Sequence, residues 1–221
     1  MTRELFTRRL RELQSDTLIL ASMVEKAIDA SVESLKAHDT PLAQKTVDDD
    51  SAINRLRYKI EEDTIHTIAT QQPMAADLRE LVAILFLASE LERIGDHAEG
   101  IGRITLMMKG PAPSELLFDI PNMAHVARDM LHRAIDVFIE RDAERARALV
   151  DEDDVIDRMY HDTNERLIHH MIQHPDDVEC GTFLMWTSHN LERIGDRVTN
   201  ICERVIFVAT GELQEINVSR Y

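Results

Sequence analysis

The chain has 221 residues, with 41 acidic side chains against 25 lysines and arginines and a formal net charge of −16 at pH 7. Nucleic-acid binding needs basic patches against the phosphate backbone, so this balance argues against a nucleic-acid partner. It favours binding of cations, or docking to a basic protein surface. Glycine (7), proline (6) and aromatic residues (5%) are sparse, which favours helices over a β-sandwich or β-barrel.

The sequence also predicts a cytoplasmic location without direct membrane insertion. Its two cysteines, Cys180 and Cys202, have no zinc-type spacing, and a reduced cytosolic chain is the default for such a pattern. The charged N-terminal segment lacks the apolar region of a signal peptide. The longest apolar run, at 81–88, is too short to span a bilayer.

Proline and glycine divide the chain into stretches whose apolar residues recur at helical spacing. Breakers around Pro41 and Pro73 end the first two stretches, and the Pro/Gly cluster at 109–114 separates the two halves of the chain. No stretch shows the sustained alternation of a strand. We therefore predict six helices, at roughly 5–38, 42–71, 75–109, 115–140, 143–173 and 177–210.

A repeated hexapeptide shows that the two halves are related. Leu-Glu-Arg-Ile-Gly-Asp occurs at 91–96 and again at 191–196, and such an identity is very improbable by chance. Further upstream, 23–29 matches 130–136. The segment at 50–55 matches 153–158 in the same order. The chain is therefore a tandem duplication with a unit of about 100 residues.

The duplication predicts the fold. Three long helices joined by short connections pack as an up-down-up bundle. We predict an all-α protein that is a tandem duplication of a three-helix bundle, with six long antiparallel helices. The first repeat is predicted at 1–110 and the second at 111–221. Bundles of this kind often expose a further apolar stripe, so a homodimer is also expected.

Pairs of acidic or amide side chains stand four residues apart at matching positions in both repeats. This spacing puts each pair on one helix face, one turn apart. The pairs are Glu92 with Asp96, Glu192 with Asp196, Asp50 with Asn54, and Asp153 with Asp157. On a helical wheel the stripe that contains Glu192 and Asp196 lies opposite the apolar stripe that contains Leu191 and Ile194. We therefore expect the acids to face away from the core.

Two interpretations of these acids stay open. Isolated charged pairs are usually solvated surface residues. If the second and third helices are neighbours, however, two acidic turns meet, and a bound cation would remove their repulsion. Carboxylate ligands favour Mg²⁺, Ca²⁺, Mn²⁺ or iron over soft metals. We predict divalent or trivalent metal ions as cofactors, and their identity stays open among Mg, Mn, Fe, Zn and Ca.

Gly95 and Gly195 lie inside predicted helices, where glycine costs about 1 kcal/mol relative to alanine. A glycine repeated at such a position predicts close approach of a neighbouring helix or a ligand. The alternative is that the duplication simply copied it.

The duplicated three-helix unit, with Leu-Glu-Arg-Ile-Gly-Asp in each third helix, resembles the PhoU family of accessory proteins of phosphate-specific uptake. The resemblance implies two three-helix bundles whose acidic clusters bind metal ions. It also implies a cytoplasmic, non-enzymatic regulator that represses the phosphate-starvation response when phosphate is plentiful. The implied partners are the ATPase subunit of the phosphate ABC transporter and the phosphate sensor histidine kinase.

Carried onto this chain, the implied metal ligands are Glu92, Asp96, Glu192, Asp196, Asp153, Asp157, Asp50 and Asn54. Two positions in the first repeat depart from the pattern. Asn54 replaces an aspartate, which leaves that cluster one charge weaker. Gly100 stands where the second repeat has Asn200. The second site is therefore the stronger prediction.

Three alternatives belong to other classes of protein. A di-metal carboxylate oxidase needs Glu-x-x-His on inward helix positions, and this sequence has none. A histidine phosphotransfer module is suggested only by Ser188-His189-Asn190-Leu191, where no acidic residue follows the histidine directly. A helical adaptor or scaffold without metal differs from the main prediction only in metal content.

Overall fold

Six α-helices and two short 3₁₀ turns make up the regular structure of residues 3–212, the part of the chain that this computed structural model describes. The helices are α1 (Arg3–Ala37), α2 (Thr40–Gln71), α3 (Ala76–Met107), α4 (Ile120–Glu140), α5 (Ala143–Gln173) and α6 (Val178–Thr210). No strand occurs in this range. The predicted all-α fold and its six helices are confirmed. The start of the fourth helix, predicted at 115, is wrong by one and a half turns, because a 3₁₀ turn occupies Ser114–Leu116.

Side-chain caps and special backbone conformations set the helix ends. Asp39 precedes α2, and its Oδ1 accepts a hydrogen bond of 2.9 Å from the backbone N–H of Leu42. Asp142 precedes α5 in the same way and accepts from two backbone N–H groups. Gly211 ends α6 at φ 82°, a left-handed conformation in which glycine carries no side-chain penalty. The duplicated connections thus begin α2 and α5 with equivalent caps.

The helices are arranged as two three-helix bundles that share one core. Within each repeat the third helix packs against the first two, and across the repeats α3 packs against α6 and α1 against α4. Buried side chains from all six helices form one contiguous cluster. Its members include Leu20, Ile60, Leu87, Met130, Ile156 and Ile201. None of the helices within residues 3–212 carries an apolar stretch long enough to cross a bilayer.

Polar contacts join α3 to α6 at repeat-equivalent positions. His97 Nδ1 lies 3.0 Å from Asn190 Oδ1, and Arg197 Nη1 lies 3.6 Å from Glu90 Oε2. Glu90 also accepts a hydrogen bond of 3.2 Å from Asn200 Nδ2. The helices of the two repeats therefore meet in a fixed register. The predicted repeat bounds of 1–110 and 111–221 stay a prediction, and their outer ends at residues 1, 2 and 213–221 lie outside the described part.

Candidate functional site

The interior glycines mark where the second and third helices of each repeat touch. A Cβ atom built on Gly95 would lie 3.2 Å from two side-chain carbons of Ile53 on α2. A Cβ on Gly195 would lie 3.0 Å from Ile156 Cδ1 and 2.7 Å from Asp153 Oδ1 on α5. The predicted close approach of a neighbouring helix is confirmed at both glycines. It places the aspartates of the second helices against the third helices.

In the second repeat, this contact buries acids that we predicted to face outward. Asp153 is 2% exposed and Glu192 is 6% exposed. Asp157 and Asp196, one turn from each, are partly buried. The outward-facing prediction is therefore wrong for Asp153 and Glu192. The cause is that α5 covers the face of α6 opposite the Leu191 stripe, while α3 and α4 cover the rest.

Burial and mutual repulsion shift the ionisation of this second cluster. Burial, followed by the charges of Asp196 and Asp157, raises the pKa of Glu192 to about 7, although Arg193 opposes the shift. Burial and the charge of Asp196 also raise the pKa of Asp157. Arg193 Nη1 is 2.7 Å from Asp196 Oδ2 but 3.8 Å from Glu192 Oε1. The arginine therefore neutralises Asp196 more directly than Glu192.

The first cluster has the same plan with one charge fewer. Burial, followed by the charges of Asp96, Glu99 and Glu92, raises the pKa of Asp50 to about 6. Asn54 Nδ2 donates a hydrogen bond of 2.6 Å to Asp50 Oδ2 and partly opposes this shift. Asn54 thus donates a hydrogen bond to the Asp50 carboxylate, whereas an aspartate at this position would add a second negative charge.

Two carboxyls of the first cluster lie on α3 and feel the same environment. Burial is the main cause that raises the pKa of both Glu92 and Asp96. Repulsion from Asp96 adds to the shift of Glu92, and repulsion from Glu99 adds to that of Asp96. The structure therefore brings Asp50, Glu92 and Asp96 together in one electrostatic group, as the repeat pattern predicted.

Three ionisable residues beside these groups were not among the predicted site residues. Glu99 follows Asp96 by about one turn, a spacing that could have identified it. Its Oε1 accepts hydrogen bonds of 2.6 and 2.9 Å from Arg103. His189 Nδ1 lies 3.5 Å from Glu192 Oε2, which places the histidine beside the cluster. The positive charge of Arg57 on α2 lowers the pKa of Glu92, and no sequence motif signals that role.

The donor chemistry of the clusters fits a hard cation, whereas the side-chain arrangement does not. Asp50 Oδ1 and Glu192 Oε2 are buried without a hydrogen-bond partner, and carboxylate oxygens are the ligands that Mg²⁺ and Ca²⁺ prefer. Within the described residues, however, no three His, Cys, Asp or Glu side chains are grouped closely enough to hold one ion. Coordination would need the carboxylates of facing helices to turn toward each other.

The fold and these clusters define a class of protein. Its members are tandem pairs of three-helix bundles, and each bundle has a cluster of carboxylates between its second and third helices. The PhoU domain model matches residues 17–105 and 120–205, one match in each repeat. The chain belongs to the PhoU family.

Curated relatives match nearly the whole chain. It is 33% identical over 218 residues to a phosphate-specific transport system accessory protein PhoU homolog of Clostridium acetobutylicum, covering 98% of this chain and all of that protein. A homolog of the same name from Rhizobium meliloti is 33% identical over 206 residues, covering 93% of this chain and 84% of that protein. The similarity to these relatives thus extends over more than nine-tenths of the chain.

Two crystal structures have the same fold. The phosphate transport system regulatory protein PhoU of Streptococcus pneumoniae superimposes with a TM-score of 0.87 at 29% identity, covering 95% of this chain and 99% of that one. PhoU of Pseudomonas aeruginosa gives 0.88 at 30% identity, covering 94% and 100%. The predicted resemblance to the PhoU family is therefore confirmed in sequence and in structure.

Proposed function

We propose that this chain is a non-enzymatic accessory regulator of phosphate uptake, which represses the phosphate-starvation response in the cytoplasm when phosphate is plentiful. It acts, in this proposal, as a homodimer that contacts the ATPase subunit of the phosphate ABC transporter and the phosphate sensor histidine kinase. The observation that carries the proposal is the match of both repeats to the PhoU domain. Relatives matched along their full length are named as accessory and regulatory proteins of phosphate transport.

The charge of the chain supports action through protein contacts. A net charge of −16 favours docking to basic surfaces and increases the rate of encounter with them. Exposed carboxylates of the first cluster, such as Asp96, lie on the α3 surface. In this proposal they are the groups that a partner's arginines and lysines recognise.

We further propose that the clusters bind a hard cation, which would supply positive charge between the second and third helices of each repeat. The second repeat is the better candidate, because its cluster has four carboxylates, whereas Asn54 leaves the first cluster with three. Glu192 is half-protonated near pH 7 because burial raises its pKa to about 7, so protons compete with a cation for this carboxylate. Metal affinity should therefore fall as the pH falls below 7.

Metal content tests this cation proposal. Wild-type protein would be purified without chelator or affinity tag and measured by mass spectrometry beside the variant Asp157→Asn/Glu192→Gln/Asp196→Asn, which keeps side-chain shape. The control, Asp151→Asn/Asp162→Asn/Glu165→Gln, removes three exposed carboxylates of α5 and so has the same net charge.

Stoichiometric metal in the wild type and the control, with none in the cluster variant, is the expected result. Equal metal in all three would indicate unspecific binding to an acidic surface and contradict the site. No metal in any of them would leave the chain as a metal-free adaptor.

A repression assay tests the regulatory role separately. In cells that lack their own PhoU protein, a reporter of the phosphate-starvation response should be active at high phosphate, and expression of this chain should restore repression. The metal-cluster variant and its control would be compared in the same cells. If the wild-type chain accumulates but leaves the reporter active, the regulatory proposal is wrong, whatever its metal content.

A further inference from the structure

A groove of about 390 Å³ lies between α1 and α2 of the first repeat. Apolar or small side chains make up most of its wall, and its apolar part is in contact with the core through Met23 and Ala27. The residues that define its shape are Met23, Ala27, Ala30, Leu42, Thr46 and Ala52. Three of these six are alanines, whose short side chains leave the space open.

The second repeat shows that the fold does not require this groove. The corresponding depression between α4 and α5 measures only about 120 Å³. In the repeat alignment, Val137 takes the place of Ala30 and Leu149 takes the place of Thr46, and both line the smaller depression. The larger side chains fill the space that stays open in the first repeat. The open groove is therefore a property of this repeat's sequence.

An ion pair bridges the depression of the second repeat, whereas the groove of the first repeat has, among the described residues, an unpaired lysine at its edge. Arg133 Nη1 donates to Glu152 Oε1 at 2.9 Å across the smaller depression. In the alignment Lys26 takes the place of Arg133, and it forms no ion pair with any residue in the described part of the chain. The other lysine at the groove, Lys45, is paired with Asp49. Lys26 thus presents a positive charge beside an apolar groove, on a molecule with a net charge of −16.

The dimensions of the groove suit a helix. Its α2 wall runs from Leu42 to Ile53, about 16 Å or three helical turns. Small side chains at a helix contact allow interaxial distances at the short end of about 8–10 Å. An amphipathic helix in such a groove buries residues at i, i+3, i+4 and i+7. A carboxylate on the flank of that helix would complement Lys26.

We infer that the α1–α2 groove of the first repeat is a docking site for an amphipathic helix of a partner protein, with apolar side chains against Ala27 and Ala30 and an acidic side chain against Lys26. The groove adjoins the first carboxylate cluster but opens between α1 and α2, and Lys26 gives it a preference for an acidic partner, whereas the clusters favour a basic one. The inference depends neither on metal binding nor on the repression of the starvation response.

Peptide binding tests the inference on the full-length chain. The probe is a labelled helical peptide of about 20 residues, long enough to be helical in isolation, with leucines at i, i+3, i+4 and i+7 and flanking glutamates. A second peptide carries lysines in place of the glutamates. Anisotropy would be measured with the wild type, with Ala30→Val/Thr46→Leu and with Lys26→Glu. The charge control is Lys109→Glu, at a lysine side chain that is 82% exposed and outside the groove.

The acidic peptide should bind the wild type and the Lys109→Glu control, and at least ten-fold more weakly to the other two variants. The basic peptide, attracted by the net charge, should not distinguish the wild type from Ala30→Val/Thr46→Leu. Circular dichroism would verify folding, which is expected because the second repeat already has Val and Leu at these positions.

Three results would overturn the inference. One is that the acidic peptide fails to bind the wild type, and another is that it binds the groove-filling variant or Lys26→Glu as tightly as the wild type. The third is that a second copy of this chain, rather than a partner's helix, occupies the groove. Sedimentation equilibrium would then show a wild-type dimer that Ala30→Val/Thr46→Leu dissociates, and the groove would be a self-association surface.

Discussion

The buried carboxyl of Glu192 makes folding stability depend on pH. Burial raises its pKa from 4.5 to about 7, so between these values the folded state binds more protons than the unfolded state, and stability falls as pH rises through that window. Glu192→Gln keeps the shape and removes the charge. In the presence of chelator, we expect it to match the wild type at pH 4 and to exceed it by about 2 kcal/mol at pH 8, measured by urea denaturation at both pH values.

Asp162→Asn provides the control for Glu192→Gln, because Asp162 is an exposed acid of α5 outside the cluster. It should change stability by less than about 0.5 kcal/mol at either pH. If Glu192→Gln were less stable than the wild type at pH 8, the ionised carboxylate would have a stabilising partner that outweighs its burial and the repulsion from Asp196 and Asp157.

The contact at Gly195 predicts an effect opposite to helix propensity. Alanine is favoured over glycine inside a helix by about 1 kcal/mol. In Gly195→Ala, however, the new Cβ would lie 2.7 Å from Asp153 Oδ1, so the buried Asp153 carboxylate and the Ile156 side chain must shift, and overpacking of this kind costs about 1–3 kcal/mol. We expect a net loss of stability in urea denaturation. Gly95→Ala should lose less, because its nearest neighbours are at 3.2 Å.

Gly110→Ala, in the bend after α3, is a control for added side-chain volume alone, since nothing lies within 4 Å of a Cβ at that position. Its stability should stay close to that of the wild type. An increase in stability for Gly195→Ala would mean that α5 and α6 adjust without strain, and that glycine there is a copied residue without a packing role.

At the scale of the helices, breakers and apolar periodicity were sufficient to predict five of the six starts to within two residues. They failed at α4. Leu116 and Leu117 continue the apolar pattern toward the linker, and both are buried against the core. However, Leu116 lies in a 3₁₀ turn and Leu117 directly follows it, so neither belongs to α4. Apolar periodicity records which residues are buried. Apolar periodicity indicates a helix only where the backbone can continue one. Pro121 favours the first turn of a helix, and α4 accordingly begins at Ile120, one residue before the proline.

The spacing of the acids predicted which side chains share a helix face, but it could not predict what covers that face. The helical-wheel prediction for α6 assumed that only the face with Leu191 is buried, and so it placed the acids in solvent. A helix in contact with three others has little free surface, and Glu192 lies under α5. Gly195, on the same face, was the available signal. A glycine that predicts close approach of a helix also predicts that the carboxylates beside it are buried.

For the molecule as a whole, contacts between the repeats decide whether they behave as two domains or as one. Glu80 on α3 is 3% exposed, and it binds Arg141, which follows α4 in the second repeat. Gln14 Nε2 on α1 donates to the other Glu80 oxygen at 2.6 Å. Together with the packing of α3 on α6, this ion pair between buried Glu80 and half-exposed Arg141 ties the first repeat to the α4–α5 connection of the second.

The shared core predicts a single unfolding transition for the whole chain. Arg141→Gln would leave the buried carboxylate of Glu80 without its cation, and because Arg141 is itself half-exposed we expect a cost of about 1–3 kcal/mol. Differential scanning calorimetry should show one peak for the wild type and one peak at lower temperature for Arg141→Gln, with equal calorimetric and van't Hoff enthalpies in both. Two peaks, of which the substitution moves only one, would show that the repeats unfold independently. A single shifted peak, the expected result, would mean that loss of this contact between the repeats destabilises both of them together.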